Sequence, residues 1–141
     1  MADSGVSLVR HGAVAVVVEN RRLLVIRRSQ SVVAPGKYCF PGGGIESTET
    51  EEQALVREIR EELGAEIRPV RRLWESVTPW GVHLAWWLSC FEPGSRPVPN
   101  PQEVEDVFWL TPHEISALEE LLESNREFLH AWKAGRIPLH V

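Results

Sequence analysis

The chain has 141 residues, 43% of them apolar and 25% charged, the size and balance of one folded unit. That composition excludes a disordered tail, a fibre and a disulfide-stapled miniprotein. Its formal net charge is −5, and residues 43–65, with seven glutamates and two arginines, account for all of it, since the remainder carries 13 acidic and 13 basic residues. A local carboxylate cluster is a poor surface for DNA or a long RNA and a good place for a hard divalent cation. The longest apolar run, Ala13 to Val18, is far below the roughly 20 residues that span a bilayer, so no membrane partner is expected. Met1-Ala2-Asp3-Ser4-Gly5 lacks the basic and long apolar stretches of a secretory signal.

In chain order, Ala13–Val18 and Leu23–Arg28 read as buried strands rich in Val, Ile and Leu. Ser29 to Lys37 reads as a loop, and Tyr38–Phe40 as a short strand stopped by Pro41 and three glycines. Cys39 and Cys90 lie in apolar-aromatic sequence without a CxxC partner; two buried, reduced thiols of a cytoplasmic protein are expected. Residues 50–63 lack Gly and Pro and predict a helix, capped by Thr48 or Thr50 and stopped by Gly64. Strands are expected at Ala65–Glu75, Val82–Phe91 and Val107–Leu110, with a loop at Glu92–Pro101, which holds four prolines. Thr111-Pro112-His113-Glu114 opens a helix expected to run to about Leu122, and a last helix should span about Asn125 to Lys133. Strands mixed with three helices, without regular βαβα alternation, point to one domain over residues 1–141 with an ordered core near 10–133.

At about 100° per residue, Glu51, Glu58, Glu61 and Glu62 share one arc of the predicted helix of about 100°. Leu55, Val56, Ile59 and Leu63 form a separate apolar stripe. Geometry alone leaves two readings of the acidic face, a solvated surface and a metal site. Arg57 is placed to orient Glu61. Pro41-Gly42-Gly43-Gly44 reads either as a flexible turn or as a loop that offers a carbonyl to a metal and N–H groups to a phosphate.

Gly43, five residues, Glu49, seven residues, then Arg57-Glu58-Ile59-Arg60-Glu61-Glu62-Leu63-Gly64 resembles the Nudix box, G-x5-E-x7-R-E-U-x-E-E-x-G-U with U a bulky aliphatic residue. Ala65 is a small residue in the last aliphatic position, and Thr48 stands where many members have glycine. Phe40-Pro41-Gly42-Gly43, followed by Glu49-Thr50-Glu51-Glu52-Gln53-Ala54, looks most like the MutT branch. The resemblance implies an α/β (α+β) Nudix fold, an α/β/α sandwich around a mixed sheet. It implies a Mg²⁺-dependent, or Mn²⁺-dependent, pyrophosphohydrolase that splits a nucleoside diphosphate linked to a moiety X. A nucleoside triphosphate giving monophosphate and pyrophosphate is the favoured substrate. ADP-ribose, a nucleotide sugar, a dinucleoside polyphosphate and a capped RNA end stay open, as does a module that binds a nucleotide without cleaving it.

By position, the resemblance makes Glu58 and Glu62 metal ligands, Glu61 a ligand or water-orienting group, and the carbonyl near Gly43 a further ligand. Arg57 would hold the glutamates and Glu49 would support them. Glu51 has no role in the pattern and is expected to be solvated. The general base is expected outside the box, at Glu103 or Glu105, with Glu61 as the alternative. Gly42, Gly43, Arg28 and Trp80 are substrate-binding candidates; packing or surface roles are the alternatives for Arg28 and Trp80. Trp86, Trp87 and Trp109 read as core or sheet-face residues, and His83 and His113 as structural or exposed. A monomer and a homodimer are equally open.

Overall fold

The computed structural model describes residues 10–141; the Met1–Gly5 segment, read above as carrying no signal, lies outside them. Seven strands and three helices follow in the order β1 (Arg10–Glu19), β2 (Arg22–Arg28), β3 (Tyr38–Cys39), β4 (Gly42–Gly44), α1 (Glu51–Leu63), β5 (Ile67–Val77), β6 (Val82–Phe91), β7 (Val104–Leu110), α2 (Pro112–Ser116) and α3 (Glu123–Lys133). The strands form one mixed sheet ordered β3-β2-β1-β6-β5, with β4 added to β1 and β7 to β2. β1 runs parallel to β6 and antiparallel to β2 and β4.

Alternation along β1 and β2 sends side chains to opposite faces. Ala13, Ala15, Val17, Leu24 and Ile26 join Leu55, Ile59 and Leu63 of α1 in one cluster. Val14, Val16, Leu23 and Val25 join Trp86, Ile115, Phe128 and Leu129 in another, covered by α2 and α3. The result is the expected helix–sheet–helix sandwich. Packing continues past residue 133, because Ile137 and Leu139 are buried in the second cluster. No helix among the described residues is long and apolar enough to cross a membrane.

Several boundaries differ from the sequence reading, each for a tertiary reason. Gly42–Gly44 is a strand rather than a loop, paired with Gly12–Val14 of β1. The helix after Thr111 stops at Ser116 rather than near Leu122, because residues 120–122 turn back to bond β3: Tyr38 N–H donates to the Glu120 carbonyl and Leu122 N–H to the Tyr38 carbonyl. β7 starts at Val104, not Val107; its polar Glu105 and Asp106 hide a strand with exposed positions. β5 accommodates Pro69 at a bulge on the edge of the sheet, where a missing N–H costs least. Cys39 is buried, its thiol pushed up to about 12 by burial, but Cys90 is only half-buried and receives Arg68 Nη2–H at 3.3 Å.

Candidate active site

Helix α1 is fixed at both ends. Thr50 caps it: its hydroxyl accepts from Gln53 N–H at 3.1 Å, and the Gln53 side chain accepts from Thr50 N–H at 2.9 Å. Gly64 stops it, donating to the Arg60 carbonyl at 3.0 Å. The apolar stripe seats the helix on the sheet, so the neighbouring carboxylate face turns toward β4.

β4 supplies the close approach. Gly42 has φ 154°, and a Cβ there would strike the backbone of Ala13. Gly42 N–H donates to Glu62 Oε1 at 3.1 Å. A Cβ on Gly43 would overlap the Glu58 carboxylate, so only glycine lets this backbone lie against that side chain. Arg57 ties the pieces together. It bonds Glu49 through Nε at 2.6 Å and Nη2 at 2.8 Å, the Gly44 carbonyl at 2.8 Å, Glu58 at 2.9 Å and Glu61 at 3.4 Å. The paired guanidinium and the Glu46 N–H hold the Glu49 carboxyl down at about 2.

The two inner carboxylates behave differently. Glu62 is 6% exposed. Burial and the Glu58 charge push its carboxyl up to about 8, against the bond from Gly42 N–H. Burial also raises Glu58, which Arg57 only partly offsets. Half-buried Glu103 is tied to the end of α1 through Asn100, whose N–H bonds the Glu62 carbonyl at 2.8 Å and whose carbonyl accepts from Glu103 N–H at 2.9 Å, and its charge adds to the upward push on both carboxyls. Among the described residues no three His, Cys, Asp or Glu side chains are already closed into a ligand set. Arg57 and Gly42 N–H hold the carboxylate oxygens that a cation would draw together. Glu58, Glu62 and the backbone of Gly43 offer oxygen donors alone, the chemistry a hard divalent ion takes.

Beside this cluster lies a cleft of about 1140 Å³, lined among others by Arg28, Gly42, Gly43, Glu49 and Asn125. Arg28 is placed on it and holds the Val33 carbonyl through Nε at 2.7 Å. Trp80 is not brought there; it is 68% exposed in the turn between β5 and β6. Glu105 is drawn off in an ion pair with Arg27 at 3.2 Å, leaving Glu103 as the loop carboxylate beside the cluster. Glu51 is not solvated as expected. Burial alone would raise its carboxyl, but bonds from Trp87 Nε1 at 2.8 Å and Arg72 Nε at 2.9 Å outweigh it and the net shift is downward. Trp86 is fully buried, Trp87 and Trp109 are half-buried, and His83 and His113 are exposed. Two groups escaped the sequence reading. Asn125, 3% exposed, accepts from Phe40 N–H at 2.8 Å in the cleft wall, and Asn100 bonds the end of α1. Neither carries a local signal beyond a polar residue in a helix start or a proline-rich loop.

A NUDIX domain model matches residues 9–132, and the chain belongs to that family. The NAD-capped RNA hydrolase NudC of Stutzerimonas stutzeri (strain A1501) is 29% identical over 88% of this chain and 44% of its own length. The chain thus spans under half of that relative. The nucleoside triphosphatase NudI of Enterobacter sp. (strain 638) is 29% identical over 69% of this chain and 77% of its own. The crystal structure of a MutT NUDIX hydrolase from Burkholderia pseudomallei is 27% identical with a TM-score of 0.63, covering 86% of this chain and 95% of that one. These relatives are hydrolases, and the family generally uses divalent metal ions.

Proposed function

We propose that this chain is a Mg²⁺-dependent nucleotide pyrophosphohydrolase, with Mn²⁺ as a substitute, that converts a nucleoside triphosphate to the monophosphate and pyrophosphate. The observation that carries the reading is the buried Glu62 and half-buried Glu58, whose raised carboxyls lie against Gly42 and Gly43 at the edge of a large cleft. Glu58, Glu62 and the Gly43 carbonyl would hold the ion, with Glu61 at its exposed side. A bound divalent ion neutralises phosphate oxygens and lowers the pKa of its water. Arg28 would receive phosphate oxygens, with Gly42 and Gly43 on the cleft wall beside them. Water adds to one phosphorus, the bridging P–O bond breaks, and Glu103 takes the water proton. Glu103 is favoured over Glu105 because the latter is paired to Arg27. Similarity to a nucleoside triphosphatase supports the triphosphate.

The test is an incubation with Mg²⁺ and a panel of nucleoside triphosphates, ADP-ribose, nucleotide sugars and dinucleoside polyphosphates, beside Glu62→Gln. Monophosphate plus pyrophosphate from one triphosphate, absent in the variant, is the expected result. Cleavage of only a sugar or dinucleotide substrate would keep the chemistry and overturn the substrate class. Binding without cleavage of any of them would overturn the hydrolase reading.

A further inference from the structure

We infer that Asn100 is a positioning residue that sets Glu103 against the carboxylates of α1, an inference that rests on the role proposed for Glu103. The last turn of any α-helix leaves carbonyls without intrahelical partners. Here the loop between β6 and β7 supplies the donors. Val98 N–H bonds the Leu63 carbonyl at 2.8 Å, Asn100 N–H the Glu62 carbonyl at 2.8 Å, and Asn100 Nδ2–H the Glu61 carbonyl at 3.1 Å.

The same asparagine then closes the turn that presents Glu103. Its Oδ1 accepts from Gln102 N–H at 3.2 Å. Its carbonyl accepts from Glu103 N–H at 2.9 Å and Val104 N–H at 2.7 Å. Every polar atom of Asn100 is used, and together they join the two residues bearing Glu61 and Glu62 to the residue bearing Glu103. Pro99 and Pro101 flank it and narrow the backbone on both sides. Ser29 grips the far side of the turn, donating through Oγ to the Gln102 carbonyl at 2.8 Å and through N–H to the Glu103 carbonyl at 3.1 Å. Ser29 follows Arg28 directly, so the turn is strapped between the end of α1 and the strand that carries Arg28. The arrangement requires a short side chain that both donates and accepts. Aspartate keeps the acceptor for Gln102 and loses the donor to Glu61.

The test compares wild type, Asn100→Asp, Glu103→Gln and the double variant, with Asn100→Ala as a second probe of the same position. Asn100→Asp should lower kcat about tenfold with KM within about twofold, and the loss should shrink below about twofold in the Glu103→Gln background. Where Glu103→Gln itself slows turnover, an equal loss in both backgrounds, no loss, or a change confined to KM would overturn the inference. A second readout needs no turnover: Mn²⁺-induced relaxation of the ¹³C-labelled Glu103 carboxyl. It should weaken severalfold in Asn100→Asp while relaxation at Glu58 and Glu62 is kept. Unchanged Glu103 relaxation would overturn the positioning role. A wild-type rate in Glu103→Gln would overturn the base assignment alone, and the relaxation result would still decide the role of Asn100.

Discussion

Glu51 and Glu62 point in nearly the same direction from α1, within about 20° of each other on the helical wheel. Their fates are opposite. Glu51 is met by Arg72 from β5 and Trp87 from β6, and its carboxyl shifts down. Glu62, just over three turns later, is met by one backbone N–H, another carboxylate, the charge of a third and the weaker opposing charge of Arg28, and its carboxyl rises to about 8. One end of the face clamps the helix to the sheet, and the other holds a carboxyl that resists ionisation. The lesson is that an acidic stripe acquires its role from the groups opposite it rather than from its own spacing.

The sharpest way to break that contrast is to neutralise each end in turn. Glu62→Gln should lower hydrolysis by about 10³-fold while Glu51→Gln changes kcat by less than about tenfold. Comparable losses, measured by steady-state kinetics, would erase the distinction. Next in size is Gly43→Ala, whose added methyl overlaps the Glu58 carboxylate. Mn²⁺ affinity by titration should fall about 10- to 100-fold. An unchanged affinity would mean that the backbone of β4 does not bound the ion site.

That resistance to ionisation also predicts a pH trend. The Glu62 carboxyl rises from an ordinary 4.5 to about 8 on folding. Between those values the folded chain keeps a proton that the unfolded chain releases, so stability falls as pH rises through this window and levels off above it. The total is on the order of a few kcal/mol, one pKa unit being worth about 1.4 kcal/mol. Thermal melting of the metal-free protein from pH 5 to 8.5 should show the decline, and Glu62→Gln should flatten it. A rising or level profile in the wild type would remove the case for an unanswered charge. Smallest is Trp87→Phe, which takes one donor from Glu51. It should cost about 1 kcal/mol of stability and leave kcat within about threefold. A larger kinetic effect would move the clamp into the catalytic machinery.

The spacing of Gly43, Glu49, Arg57, Glu58, Glu61 and Glu62 was legible because all of it lies within one continuous segment from β4 to the end of α1. The capping box at Thr111 was legible for the same reason, while the cap of α1 was narrowed only to Thr48 or Thr50, of which the structure uses Thr50. The partners that separate Glu51 from Glu62 were not, since Arg72 and Trp87 stand 21 and 36 residues away. β4 was hidden because a run of glycines carries no strand signal until β1 offers it a ladder. The early end of α2 was hidden because the competing bonds come from Tyr38, far upstream. Asn100 and Asn125 each act on a backbone distant in sequence, so local pattern gave no reason to single them out.

Strands β1 and β2 are covered on both sides, and the two clusters they separate share a backbone but no side chains. One cluster seats the helix that carries the carboxylates. The other seats α3, whose Ser124 and Asn125 line the cleft. A substitution at Phe128 or Leu129 therefore reshapes the cleft wall without disturbing the contacts of Leu55, Ile59 and Leu63. One face of the sheet thus seats the carboxylate helix and the other seats part of the cleft wall, and the shape of the cleft can be probed from that second face.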